Sequence, residues 1–164
     1  MLKLHVGDTV GVASPSHLAE RETCEKIFAK IREMGLKVRP APNLYARSWG
    51  YAASDCERAD DLNALIRDPE VKMIFFGGGE GADEVILRID YELARANPKI
   101  WLTYSDGTSI LNAVHACTGQ TVLYGQAPKR LLEDTAYNRE MFDAFVFRGG
   151  MKKHVPATEW RTIR

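Results

Sequence analysis

The stretch Asn97-Pro-Lys-Ile-Trp-Leu-Thr-Tyr-Ser-Asp-Gly-Thr-Ser-Ile-Leu111 decides how this chain folds. Lys99 to Tyr104 is a short, mainly apolar run of the kind that forms a buried strand. It stops at Ser105-Asp106-Gly107, and a helical pattern then begins. A serine at such a turn has its hydroxyl lifted clear of the sheet, beside the first free N–H groups of the helix. An acyl-transfer nucleophile needs that neighbourhood, because the attacking oxygen and the donors for the developing oxyanion must adjoin. A plainer role fits the same residues, since serine and aspartate are favoured helix N-caps. The turn is also not the Gly-x-Ser-x-Gly elbow of the α/β-hydrolases. On these residues alone both roles stay open.

Outward from this turn, β-like runs alternate with helical ones. Strands are expected at Asp8–Ala13, Leu36–Arg39, Val71–Phe76 and Thr121–Tyr124, besides the one before Ser105. A helix is expected from His17 to Met34, where Cys24, Ile27, Phe28 and Ile31 recur at three- to four-residue spacing and Gly35 supplies the stop. Ser54-Asp55-Cys56-Glu57 has the spacing of a capping box and opens a second helix to Arg67, with Ala59, Leu62, Ala64 and Ile66 as its apolar positions. Val85 to Ala96 reads as helical with a break near Asp90, Thr108 to Cys117 as a further helix, and Ala136 to Phe147 as a polar one. Strands separated by helices imply parallel crossovers, hence an α/β three-layer sandwich with a mainly parallel sheet. The expected division is an α/β domain over 1–147 and a linker over 148–164, where Gly149-Gly150, Lys152-Lys153 and Pro156 cluster.

At 164 residues the chain is one domain by length, and its 22 basic and 22 acidic residues cancel. No global field steers it to nucleic acid or an anionic membrane, and no apolar run approaches the roughly 20 residues that span a bilayer. The amino terminus lacks a signal-peptide layout, so a cytoplasmic location is expected. Cys24, Cys56 and Cys117 are widely spaced and the four histidines are scattered, so neither a disulfide nor a metal site is expected. No cofactor is expected either.

Ligands of parallel sheets sit beyond the carboxyl ends of the strands. The loops leaving those ends are Ser14-Pro15-Ser16, Gly77 to Gly81, Ser105-Asp106-Gly107 and Gly125 to Pro128, all made of small residues that let a ligand approach the backbone. Ser14, Ser16, Gly77, Glu80, Tyr104 and Gly125 are the expected substrate contacts. Gly77-Gly78-Gly79-Glu80-Gly81 could act as an anion nest, as an oxyanion donor for Ser105, or as a tight turn. It lacks the lysine and Ser/Thr of a P-loop. His115 lies ten residues past Ser105 on one helix, about 15 Å along its axis, and is too far to serve as that serine's base. His5 and His17 read as solvated surface histidines.

The chain resembles the amino-terminal domain of the LD-carboxypeptidase serine peptidase family, which also contains the microcin-C immunity peptidases. Five ordered blocks carry the resemblance: Gly7 to Ser16; Gly50-Tyr51-Ala52-Ala53-Ser54 with Arg58 to Asn63; Gly77 to Gly81 with Asp90-Tyr91; Asn97 to Ile100 leading to Tyr104-Ser105-Asp106; and Thr118 to Val122 before Gly125. The resemblance implies a flavodoxin-like fold. It implies Ser105 as nucleophile, with the backbone N–H groups of Asp106 and of Gly78 or Gly79 as oxyanion donors. It also implies metal-free Ser-His-Glu hydrolysis of an amide bond in a murein tetrapeptide or an aminoacyl-nucleotide, usually by dimers. The family takes its glutamate and histidine from a carboxyl-terminal domain that lies outside residues 1–164, so this chain alone is expected to be inactive. Its docking face is expected to leave apolar surface that favours homo-oligomers. Three features depart from the family pattern: Phe76-Gly77 stand where murein-cleaving members have arginine before a glycine pair, Thr103 replaces a glycine, and Gln126 interrupts Gly-Pro. The alternative is a non-catalytic module that holds a ligand in the same crevice, or a nucleotide or phosphate binder using Gly77 to Gly81.

Overall fold

The computed structural model describes residues 2–150 apart from Leu18, Gly78 and Asp134. The expected linker therefore lies mostly outside the described residues. Strands β1 (Thr9–Ala13), β2 (Lys37–Pro40), β3 (Val71–Phe76), β4 (Ile100–Thr103) and β5 (Val122–Tyr124) form one sheet in the order β2-β1-β3-β4-β5. Every pairing in it is parallel. The helices are α1 (Arg21–Glu33), α2 (Asp55–Arg67), α3 (Tyr91–Ala96), α4 (Thr108–Thr118) and α5 (Ala136–Val146). This is the expected three-layer α/β architecture with flavodoxin-like strand order. No helix among the described residues is long and apolar enough to cross a membrane.

Alternation along β3 builds both cores, because successive side chains of a strand point to opposite faces. Met73 and Phe75 join Ile27, Phe28 and Ile31 of α1 and Phe142 of α5 on one face. Ile74 and Phe76 join Leu62 and Leu65 of α2 and Ile110 and Val114 of α4 on the other. Phe76 meets Trp101 edge-on with ring centroids 6.4 Å apart. A fully buried aliphatic or phenyl side chain contributes about 1.5–3 kcal/mol relative to exposure, so these two clusters hold the layers together.

Three local expectations need correction. Helix α1 begins at Arg21, after the extended N-cap Glu20, because the segment before it is held elsewhere: His17 bridges to Tyr51, and Ser14 Oγ donates to the His17 carbonyl at 2.5 Å. In α2 the capping box of Ser54 and Glu57 is present, but Leu65 is buried and Ala64 only half-buried. Helix α5 is less polar than its sequence suggests, since Phe142 packs 6.0 Å from Phe75 and Val146 is buried. The break near Asp90 is real: a 3-10 segment Ala82–Arg88 gives way to α3, with Asp90 accepting from the Leu93 N–H at 2.8 Å.

The fold gives one pH-dependent expectation. Tyr91 donates its hydroxyl to the Ile86 carbonyl at 2.7 Å, and burial pushes its pKa up to about 12. An unfolded phenol titrates near about 10, so from there to about 12 the folded chain keeps a proton that the unfolded chain releases. Stability therefore falls as pH rises through that window. Tyr91→Phe is expected to flatten this fall in urea midpoints measured from about pH 9 to 11; an unchanged slope would assign it to other groups.

Strand order places the site. The chain leaves β1 and β3 in opposite directions, so a crevice opens between their carboxyl ends, with β4 beside it.

Candidate active site

Ser105 stands at the carboxyl end of β4, exposed, on a single 3-10 turn (Ser105–Gly107) that leads into α4. Its φ is +58°, a left-handed conformation that costs a non-glycine residue about 1–3 kcal/mol and persists only where neighbours enforce it. The neighbours are specific. Thr108 Oγ1 donates to the Ser105 carbonyl at 2.5 Å, and Ser109 Oγ to the Asp106 carbonyl at 2.7 Å. Gly107 tucks against β4 so closely that an added Cβ would lie 2.6 Å from Thr103 Oγ1. Asp106 does not cap its own helix. Its Oδ2 accepts from the Ala82 N–H at 2.9 Å, which bolts the serine turn to the end of the glycine loop.

A buried arginine ties the other two loops together. Arg58 on α2 is 2% exposed; Nη1 donates to the Pro15 carbonyl at 2.7 Å and the Gly81 carbonyl at 2.9 Å, and Nη2 to Glu84 Oε2 at 2.5 Å. The guanidinium also lies over the Tyr51 ring, 4.9 Å from its centroid. The loops after β1, β3 and β4 are thus cross-braced through charge-assisted hydrogen bonds, which are about twice as strong as neutral ones.

Between them opens a cleft of about 430 Å³, lined by Ser14, His17, Gly77, Gly79, Tyr104 and Ser105 among others. Ser14, Gly77, Gly79, Tyr104 and Ser105, expected at the site, meet here. Ser16 does not: it is 1% exposed, and its Oγ has no hydrogen-bond partner. Gly125 opens onto a different cavity, between β5 and α5, and Glu80 is exposed away from both. Gly78 lies outside the described residues.

His17 is the residue that sequence reasoning missed. It is exposed, as expected, yet it lines the cleft with Ser105, and its imidazole occupies the space where a side chain at position 79 would stand, 2.3 Å from an added Cβ. The run of glycines was the available signal, because a residue that must lack Cβ has something pressed against it. His115 instead places Nδ1 2.8 Å from the Gln120 carbonyl, at the far end of α4. Among the described residues no cluster of His, Cys, Asp and Glu could hold a metal ion.

The helix start at Ser105 can stabilise an anion through its unpaired N–H groups. A serine at such a helix start, in a cleft shared with a glycine loop, can carry out acyl transfer once a base removes its proton.

The chain is similar to proteins named as carboxypeptidases and to a microcin self-immunity protein. A profile of the LD-carboxypeptidase N-terminal domain matches residues 10–125. A Bacillus subtilis protein named "Probable murein peptide carboxypeptidase" is 35% identical over 123 residues, which cover 74% of this chain and 39% of the relative. The Escherichia coli microcin C7 self-immunity protein MccF is 30% identical over 128 residues, covering 76% of this chain and 37% of the relative. The structure of MccF in complex with glutamyl sulfamoyl guanosine superposes with a TM-score of 0.81 at 26% identity, over 93% of this chain and 47% of that one. The chain thus spans less than half the length of these relatives. It belongs to the LD-carboxypeptidase serine peptidase family and contains that family's amino-terminal domain.

Proposed function

We propose that this chain is the nucleophile-bearing part of a serine peptidase that hydrolyses an amide bond in a small peptide or aminoacyl-nucleotide. Residues 1–147 form the nucleophile domain and residues 148–164 lead toward a second domain. Ser105 attacks the scissile carbonyl, and the backbone N–H groups of Asp106 and Gly79 or Gly78 receive the oxyanion. A histidine held by a glutamate, both from the second domain, takes the serine proton and returns it to the leaving amine. The reaction proceeds without metal or cofactor, in the cytoplasm, and the assembled enzyme is a homo-oligomer. The observation that carries the reading is the enforced left-handed backbone at Ser105, exposed in a cleft that it shares with the glycine loop.

Loss of a triad member commonly costs about 10⁴–10⁶ in rate, so residues 1–164 alone are expected to turn over negligibly. A fluorophosphonate probe is expected to label Ser105 slowly in this chain and faster by orders of magnitude when a family carboxyl-terminal domain is supplied. Ser105→Ala removes the label from both. Labelling that survives Ser105→Ala would end the proposal. Equal rates in both forms, lost on His17→Ala, would place the base within this chain instead.

A further inference from the structure

The cleft has two chemically different ends. Its exposed rim holds its charged members, Glu20 and Lys129, and the imidazole of His17. Its buried floor is built from Val12 of β1, Cys24 and Ile27 of α1, and Leu44 of the loop after β2. These four are 2–6% exposed, and Thr23 of α1, half-buried, also lines the cleft. The one titratable group on the floor is the Cys24 thiol, and burial pushes its pKa up, so it stays neutral. Tyr45 beside it is likewise pushed up by burial.

We infer that this floor is a subsite for an uncharged aliphatic or aromatic side chain next to the bond that Ser105 attacks. The inference rests on the peptidase reading and adds the class of residue flanking the bond. A carboxylate or ammonium placed on this floor would lose its water, while the charges nearest Cys24, those of Glu20, Arg21 and Glu25, are exposed and screened by solvent, so the penalty exceeds the gain from contact. An apolar side chain gains by leaving water there, while the peptide group beside it stays at the polar rim. A volume of about 430 Å³ is within the range of small-ligand sites and holds one residue with its flanking amides.

The test uses N-acetyl amino-acid amides of both hands, titrated into the full 164-residue chain and followed by ¹⁵N–¹H NMR. Leucine and phenylalanine amides are expected to bind at least about tenfold tighter than aspartate and lysine amides, a difference of about 1.4 kcal/mol. Thr23→Phe narrows the floor and is expected to abolish that preference. Thr23→Asp sets a carboxylate in the first turn of α1, where the helix dipole favours it, so this variant folds and shifts preference toward the lysine amide. Equal affinity for apolar and charged amides, or indifference to both Thr23 variants, overturns the inference while leaving Ser105 labelling untouched. Apolar binding that fails to slow fluorophosphonate labelling of Ser105 also overturns it, by placing the ligand away from the nucleophile. Absence of labelling at Ser105 even when a family carboxyl-terminal domain is supplied is a separate result and removes the peptidase reading.

Discussion

Arg58→Ala is expected to destabilise the chain by about 3–5 kcal/mol, the upper end for a single substitution. The cost has identifiable parts. The Pro15 and Gly81 carbonyls each lose a charged donor at 2.7 and 2.9 Å; the buried Pro15 carbonyl is left unpaired at about 1–3 kcal/mol, whereas the half-buried Gly81 carbonyl keeps the Glu84 N–H at 3.3 Å. The vacated space removes the contacts of the long aliphatic stem and of the guanidinium on Tyr51. Glu84 adds little, because its side chain is 46% exposed and its carboxylate returns to water. One term opposes: Arg58 Nε is buried without a partner, a cost that alanine relieves. Arg58→Lys should recover roughly half of the loss, since an ammonium can reach one carbonyl but lacks the rigid fork that spans two loops. Urea unfolding of the two variants checks this, and an alanine variant within about 1 kcal/mol of wild type would show that the brace is not structural.

The second large effect is at Gly107. An added Cβ would lie 2.6 Å from Thr103 Oγ1, 2.8 Å from Thr103 Cγ2 and 3.1 Å from Phe76 Cε2. Thr103 is 0% exposed and ends a central strand, so it cannot swing aside. Overpacking of this kind costs about 1–3 kcal/mol, and here it also displaces the serine turn. Gly107→Ala is therefore expected both to lower the urea midpoint and to slow labelling at Ser105. Thr103→Ala deletes the two closest atoms, so the double variant should be less damaged than the sum of the singles, with a coupling of about 1 kcal/mol or more. Additive losses would show that the clash lies elsewhere. Thr103 and Gly107 are thus matched to each other in size.

What the sequence made legible follows the range of each interaction. The β3 run and the Ser54 capping box are set by residues within a few positions, and both stand as expected. The start of α1 depends on a bridge from His17 to Tyr51, far along the chain, and so could not be read from the local pattern. The brace from Arg58 to Pro15 crosses 43 positions and is likewise invisible to periodicity. At the site, residues of the four small-residue loops line one cleft, the loop after β5 through Ala127 and Pro128 rather than Gly125. Ser16 was misplaced because a serine in such a loop looks the same whether it turns outward or, as here, inward.

The left-handed backbone at position 105 sets two selective demands against each other. Glycine would adopt that conformation without penalty, so a library of this chain sorted only for resistance to heat should accumulate glycine there. The enriched clones would be better behaved as folded molecules and would have discarded their hydroxyl. Thermal selection on this scaffold therefore needs position 105 held fixed.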